Sequence, residues 1–267
     1  MSERGIDTIW PDRPPSIGMV HLLPLPGSPS WSGSMAAVLD RAIADAHTLA
    51  AAGFDGLIVE NYADVPFFAE TVGAETVAAM TAAALAVAEA TELPLGINVL
   101  RNDAAAALGV AVAVGARFVR VNVHTGVMFT DQGVIEGRAA STLRLRRALD
   151  AEVAILADVH VKHATPPCGL DLEAASADAW HRGRADALIV SGVGTGAPTE
   201  LGHVDRARAA VPAAPVLIGS GVRPENVAHA LMHADGAVIG SAVMVGGLAG
   251  AGVDADRARA MVEGARG

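Results

Sequence analysis

Eight short apolar runs, rich in valine, isoleucine and leucine, recur along the chain with helix-favouring stretches between them. Such runs are typical of parallel strands buried on both faces. We predict strands at Ile17–His21, Leu57–Glu60, Leu95–Val99, Phe118–Val123, Ala154–His160, Ala187–Val190, Val216–Gly219 and Ala237–Gly240. Alanine-rich segments between them predict helices at Met35–Ala52, Glu75–Ala90, Ala104–Val114, Ala139–Leu149 and Glu225–His233. This alternation predicts an α/β fold, the closed (β/α)8 TIM barrel.

The length of the chain suits one such barrel. Its 267 residues exceed a typical domain of roughly 150 residues but match the roughly 250 of a (β/α)8 barrel. No linker, charge run or repeat divides the sequence. We therefore predict a single domain over residues 1–267, with the barrel core at about 15–250 and an N-terminal extension at 1–14. The alternative is an open doubly wound sheet, but no G-x-G-x-x-G motif follows the first strand.

The charge of the chain limits its partners. A net charge of −10 and a pI near 5.3 provide no basic surface for a phosphate backbone, so we exclude nucleic acid. The N-terminal sequence has charges and prolines where a secretory signal has an apolar run, which favours a cytoplasmic location. The single cysteine, Cys168, also suits a reducing compartment. We expect no transmembrane segment, because the uncharged stretch Gly236–Val253 has the glycines of a turn-rich strand end.

Polar residues in five of the predicted strands share one face. Alternate residues of a strand point to opposite sides, so Asp158, His160 and Lys162 of the fifth strand lie opposite Val159 and Val161. The valines should meet the helices, and the polar side chains should point into the barrel. The same argument on the four preceding strands selects Arg120, Asn122, Asn98, Glu60 and His21. We predict that these eight polar residues form a catalytic cluster at the carboxyl ends of the strands, where barrel enzymes have their active sites.

Burying so many ionisable groups requires a reason, because an unpaired buried charge is costly or shifts its pKa. The alternative to catalysis is a self-satisfied network in which Glu60 pairs with Arg120 and Asp158 with Lys162. Lys162 is distinctive, since it is the only lysine among nineteen basic residues and the other eighteen are arginines. An amine can lose its proton and a guanidinium cannot, which favours a chemical need for this lysine.

Small residues follow the sixth, seventh and eighth strands and predict a phosphate-binding rim. They let backbone N–H groups approach an anion, and in barrels the phosphate commonly lies after strands seven and eight. The predicted phosphate-binding residues are Ser191, Gly192, Gly219, Ser220, Gly221, Gly240 and Ser241. Pro224 should open the following helix. Tight turns alone are the alternative, and Arg223 either contacts the anion or lies on the surface.

Two long loops and one tyrosine give weaker signals. The segment His124–Arg138 predicts either a mobile lid or a loop packed on the rim, and Leu22–Ser34 predicts another wall of the site. Tyr62 is able to donate a proton but is interpreted as a packed aromatic. A divalent cation between Asp158, His160 and either Glu60 or His21 is the minor alternative, because no H-E-x-x-H motif is present. We predict no metal site and no cofactor.

Seven segments of the sequence resemble the BtpA/SgcQ family: MVHLLPLPGSP, GFDGLIVENYADVPF, GINVLRNDA, VRVNVHTGVMFTDQG, ADVHVKHA, LIVSGVGTG and VLIGSGVRPENV. The resemblance extends from about Ser16 to Met244 and therefore covers most of the chain. It implies a TIM barrel. The family takes its name from a role of BtpA in photosystem I biogenesis, and SgcQ-like members are described as nucleosidases in sugar metabolism. The predicted site residues rest on the strand alternation and not on this resemblance.

Three functions remain open at this point. The first is an enzyme that acts on a small phosphorylated sugar or nucleoside by acid–base chemistry, including nucleosidase-type cleavage of a C–N bond. The second is a Schiff-base lyase or aldolase through Lys162. The third is a non-catalytic assembly factor for a membrane protein complex, which this acidic chain favours least. The alanine-rich helices suit close packing against another copy, so we also expect a homo-oligomer.

Overall fold

In a computed structural model, which describes residues 5–192, 194–196 and 199–266, eight parallel strands close into a barrel. The described strands are β1 Ser16–His21, β2 Gly56–Glu60, β3 Leu95–Asn98, β4 Phe118–Val121, β5 Val127–Thr130, β6 Gly133–Glu136, β7 Ala154–Val159, β8 Ala164–Thr165, β9 Ala187–Val190, β10 Val216–Ile218 and β11 Ala237–Ile239. The order around the barrel is β1-β11-β10-β9-β7-β4-β3-β2. The predicted TIM barrel and its eight strands are confirmed. The other three strands form a small antiparallel sheet in the order β6-β5-β8.

Helices surround the barrel and cover its outer face. They are α1 Ile6–Ile9, α2 Met35–Ala52, α3 Ala74–Ala90, α4 Ala104–Val114, α5 Ala139–Ala148, α6 Leu172–Ala177, α7 Leu201–Ala210, α8 Val227–Leu231 and α9 Ala255–Arg266. Side-chain caps fix where several of them begin. Ser34 accepts a hydrogen bond from the backbone N–H of Ala37, and Asp103 accepts one from that of Ala106, so each satisfies an amide that the first turn leaves free. No helix in the described part of the chain is long and apolar enough to cross a membrane.

Two apolar layers hold the barrel together. The outer layer lies between strands and helices, and it contains the valines and leucines that point away from the barrel axis. The inner layer fills the barrel below its mouth, and Phe118 is its largest side chain. Gly96 lies beside this ring, and a Cβ there would lie 2.2 Å from a Phe118 ring carbon. The glycine is therefore what lets an aromatic ring fill the centre of the barrel.

The N-terminal residues close the base of the barrel. Ile6 is buried against the inner layer, and Ile9 and Trp10 pack beside it. The Trp10 ring meets Phe118 edge-on at 5.4 Å between ring centroids, and its indole N–H donates to the Asp55 carbonyl at 2.7 Å. Burial of these apolar groups fixes α1 across the end of the barrel opposite the cleft described below.

Some predicted boundaries were wrong, mostly at the mouth. The fourth strand ends at Val121 and not at Val123. The helix predicted at Glu225–His233 spans Val227–Leu231, because the Asn226 side chain accepts from the Arg223 N–H and ends the preceding turn. Pro224 therefore lies in that turn and not at the first helical position.

The loop after the fourth strand is ordered. Its residues form the hairpin of β5 and β6, which pairs with β8 through Phe129 and Thr165. Met128 and Ile135 of the hairpin are buried on Val123 and Val161. The segment is thus a packed element of structure above the mouth, which agrees with the second of the two interpretations of the sequence.

Candidate active site at the mouth of the barrel

The carboxyl ends of the barrel strands open into a cleft of about 1770 Å³. The loop between β1 and α2 forms one wall through Leu23, Pro24 and Ser30, as predicted, and the hairpin turn contributes Asp131 and Gln132. Predicted site residues that line the cleft are His21, Glu60, Arg120, Asn122, Lys162, Gly219, Ser220, Gly221, Gly240 and Ser241. The mouth of the barrel therefore brings together most of the two groups that the sequence selected.

Strand register places the polar residues side by side. His21 is the partner of Glu60 between β1 and β2, and Glu60 is the partner of Asn98 between β2 and β3. Ile58 and Phe118 lie two residues earlier on their strands and belong to the inner apolar layer. Glu60 and its neighbours therefore point the same way and form the polar top of that layer, as the alternation predicts.

Arg120 and Asp158 form a buried ion pair. The guanidinium donates to both carboxylate oxygens at 3.1 and 3.0 Å, and the Asn122 amide donates to Asp158 Oδ2 at 2.7 Å. Asn98 in turn donates to Asn122 Oδ1 at 3.0 Å. Asp158 and Asn98 do not line the cleft, so they orient Arg120 and Asn122, which do. The alternative pairing of Glu60 with Arg120 and Asp158 with Lys162 is not formed.

Glu60 and His21 form a buried pair of titratable side chains in the cleft. Both are buried, and Glu60 Oε1 lies 3.4 Å from His21 Nε2. The Gly250 N–H donates to His21 Nδ1 at 3.2 Å, so a neutral ring carries its proton on Nε2, facing Glu60. Burial lowers the pKa of His21 to about 3 and raises the pKa of Glu60, and the positive charges of Arg120 and Lys162 oppose the rise at Glu60. The pair therefore favours a neutral imidazole next to a carboxyl able to hold a proton.

Lys162 reaches into the cleft from the loop after β7. Its Nζ donates to the Gly219 carbonyl at 3.4 Å, and no carboxylate of the described residues lies within 4.0 Å of it. Burial, and then the charge of Arg120, lower the pKa of Lys162 to about 8, although Asp158 and Glu60 oppose the change. A measurable fraction of this amine is uncharged near neutral pH.

His160 does not join the cluster, contrary to the prediction. β7 ends at Val159, and His160 has a left-handed backbone with φ of 50°, which breaks the two-residue alternation. The charges of Asp171 and His203 affect the pKa of its imidazole, which does not line the cleft. His160 is therefore placed toward the outer helices, away from Glu60.

Five of the seven predicted phosphate-binding residues line the cleft, and Ser191 and Gly192 do not. The Gly192 N–H donates to Ser220 Oγ at 2.8 Å, so Gly192 positions a rim residue without lining the cleft itself. Ser191 Oγ packs against Gly219, where a Cβ would lie 2.2 Å from this oxygen. Gly240, by contrast, lines the cleft, and a Cβ there would make only ordinary contacts, the nearest at 3.5 Å with Met19. The predicted rim residues that line the cleft thus follow β10 and β11, and after β9 it is Thr195 and Gly196 that line it.

Sequence reasoning missed Arg101 and His163. Arg101 follows β3, lies buried in the wall of the cleft, and donates to the Lys162 carbonyl at 2.5 Å. His163 Nε2 lies 2.9 Å from Thr195 Oγ1, and Tyr62, which stacks on His21 at 4.3 Å, also bonds to Thr195. The position of Arg101, just past the end of the third barrel strand and therefore at the mouth, was a signal that could have identified it.

No metal cluster is formed within the described ranges, in the sense of three or more His, Cys, Asp and Glu side chains able to hold one ion. Asp158 is bound by Arg120 and Asn122, and His160 lies outside the cleft. The set considered from the sequence for a divalent cation is therefore not brought together.

Comparison with known proteins places the chain in a family. A model of the BtpA family matches residues 12–267. The chain belongs to the BtpA family. The Photosystem I biogenesis protein BtpA of Synechocystis sp. is 47% identical over 249 residues, which cover 93% of this chain and 87% of that protein. An uncharacterized family relative from Pyrococcus horikoshii is also 47% identical, over 87% of this chain and 88% of its own length.

Solved structures share the fold of this family member. The native KDPGal structure superposes with a TM-score of 0.59 at 15% identity, covering 96% of this chain and 97% of that one. N-(5'-phosphoribosyl)anthranilate isomerase from Pyrococcus furiosus gives a TM-score of 0.56 at 11% identity, over 94% and 98% of the two chains. At these identities the likeness concerns the barrel alone.

Proposed function

We propose that this protein is an enzyme that acts on a small phosphorylated sugar or nucleoside by acid–base chemistry at the mouth of the barrel. The observation that carries the proposal is a single cleft that contains the Glu60–His21 pair, Lys162 and, next to them, the rim of small residues. Membership of the BtpA family and the barrel fold support a catalytic or an assembly role. The cleft favours catalysis.

The rim would hold the phosphate. Gly219 to Gly221 follow β10, Gly240 and Ser241 follow β11, and these are the seventh and eighth strands of the barrel, where phosphates commonly bind. Arg223 and Arg257 also line the cleft on this side and would add positive charge. Gly240 lines the cleft and has no side chain that would keep an anion away from the backbone.

Glu60 would supply the proton. Burial favours its protonated form, and a neutral His21 fixed by Gly250 keeps the carboxyl in place. In nucleosidase-type cleavage, Glu60 would protonate the departing nitrogen, and its carboxylate would then accept a proton from the attacking water. Lys162 would stabilise negative charge on the substrate. Asp158, sealed in its pair with Arg120, would act by positioning that arginine.

A Schiff-base reaction is the second candidate, and the environment of Lys162 favours it. The amine is the only one on a side chain of this protein, and its pKa of about 8 leaves it partly uncharged. In that reaction the amine would attack a substrate carbonyl, lose water and form an imine. Borohydride with substrate would reduce the imine and attach the substrate permanently to Lys162, whereas acid–base cleavage leaves the protein unlabelled.

A thermal-shift screen coupled to product analysis tests the proposal. Inorganic phosphate, ribose 5-phosphate and nucleoside monophosphates would be added to wild type, Ser241→Asp and Glu60→Gln. A ligand at about 100 times its Kd stabilises by about 2.7 kcal/mol, which raises Tm by roughly 5–10 °C. We expect Ser241→Asp to abolish the shift by repulsion, and Glu60→Gln to keep the shift but lose turnover.

A matched surface variant controls for nonspecific effects. Glu70→Gln alters an exposed ion pair with Arg138 and should leave both shift and turnover unchanged. If no phosphorylated compound shifts Tm and Glu60→Gln changes nothing, the assembly role suggested by the name of the Synechocystis relative becomes the better explanation.

A further inference from the structure

Arg101 is a buried cation without an acidic partner. Only 7% of the residue is exposed, and its described hydrogen bond goes to the backbone carbonyl of Lys162. Within residues 5–192, 194–196 and 199–266, no carboxylate lies within 4.0 Å of its guanidinium nitrogens. One carbonyl satisfies one of five N–H donors, so most of the guanidinium fork is available to a molecule in the cleft.

The acidic side chains around Arg101 are bound to other residues, protonated, or too far away to form an ion pair with it. Asp158 accepts from Arg120 and Asn122 and does not face the cleft. Burial favours the protonated form of Glu60 by raising its pKa. Asp131, in the exposed hairpin turn, is near enough to exert a charge effect on Arg101 but makes no ion pair with it. Positive charge therefore exceeds negative charge on this wall.

Strand order places Arg101 across from the rim. It follows β3, and β3 is four strands from β10 in either direction around the eight-stranded barrel. The rim residues follow β10 and β11, so the backbone of Arg101 lies on the facing wall, and its side chain crosses the mouth as far as the Lys162 carbonyl after β7. A molecule with its phosphate on the rim would extend its other end toward Arg101.

We infer that the substrate carries a second acidic group, a carboxylate or a phosphate, that binds Arg101 opposite the rim phosphate. The planar fork of arginine matches either group with two parallel hydrogen bonds, and burial strengthens this contact. Phosphorylated sugar acids and sugar bisphosphates have this chemistry. The inference rests on the proposed function, because it takes the rim as the site of the first phosphate.

Matched ligand pairs test the inference by calorimetry. Glucose 6-phosphate is compared with 6-phosphogluconate, and fructose 6-phosphate with fructose 1,6-bisphosphate, on wild type, Arg101→Gln and Arg101→Lys. In wild type we expect the doubly acidic member of at least one pair to bind about tenfold more tightly or better. The pair that shows the preference identifies carboxylate or phosphate as the second group.

The variants separate a binding role from a structural one. Arg101→Gln should reduce the preference to less than about twofold while changing the Kd of the member with a single phosphate group by no more than about twofold. Arg101→Lys should retain part of the preference for the doubly acidic ligand, and the surface variant Arg138→Gln should retain all of that preference. Equal binding within both pairs, or a preference that survives in Arg101→Gln, would overturn the inference and leave the proposed function intact. Binding of gluconate alone, dependent on Arg101, would instead overturn the rim phosphate and support the anion site.

Discussion

Replacing Lys162, which is partly buried, should stabilise the ligand-free protein. Lys162 has a pKa of about 8 in the folded chain against 10.5 when exposed, and at about 1.4 kcal/mol for each pKa unit this gap corresponds to about 3 kcal/mol. Lys162→Met removes the charge at similar volume. We therefore expect the variant to be more stable than wild type by about 3 kcal/mol at pH 7, which is roughly 6–12 °C in Tm.

The sign of the pH dependence makes this prediction specific. Between pH 8 and 10.5 the unfolded chain holds the lysine proton and the folded chain does not, so the stability of wild type rises with pH across this window. The advantage of Lys162→Met should be constant below pH 8 and vanish above 10.5. Thermal unfolding of both proteins from pH 6 to 11 measures it. If Lys162→Met melts well below wild type at pH 7, the lysine contributes to folding and the reasoning is refuted.

Three further predictions concern other buried residues of the barrel. Asp158→Asn leaves the Arg120 charge buried without its partner and should lower the free energy of unfolding by about 3–5 kcal/mol, and a loss below about 1 kcal/mol in urea unfolding would contradict the buried pair. Because the pKa of His21 is about 3 when folded and 6.5 when exposed, wild type should lose about 3 kcal/mol more stability than His21→Asn between pH 6.5 and 4. If the free energy of unfolding of wild type and of His21→Asn changes with pH in the same way, this histidine is not buried as a neutral ring. Gly96→Ala should destabilise by about 1–3 kcal/mol, whereas Gly109→Ala, with open space in a helix, should stabilise by about 0.5–1 kcal/mol, and equal melting temperatures would refute the packing argument.

Strand alternation predicted the direction of side chains within the strands, and it also held for Asn122, one residue past the end of β4. Glu60, Arg120 and Asp158 lie within paired strands, so the two-residue period gave their inward direction correctly. His160 lies one residue past the end of β7, where a left-handed backbone reverses its direction. The two-residue alternation of a sequence does not show at which residue the hydrogen-bonded pairing of a strand ends.

The partners of the charged groups required the three-dimensional structure. Arg120 lies in register with Leu156, so the stagger of the barrel brings its guanidinium to Asp158 and away from Glu60. No sequence spacing specifies that stagger. Arg101 was missed for a related reason, since it belongs to a loop without a period. By contrast, Lys162 was selected both by strand alternation and by its rarity in the sequence, and because it lies past the end of β7 only the second argument still applies to it.

The closed base of the barrel has a kinetic consequence. Ile6 and Trp10 fill the end opposite the cleft, so a molecule bound beside Glu60 has the mouth as its route in and out. Both products of a cleavage reaction would then leave through the opening by which the next substrate enters. The product that leaves last would compete directly with that substrate, and its inhibition pattern would reveal which part of the substrate the cleft holds more tightly.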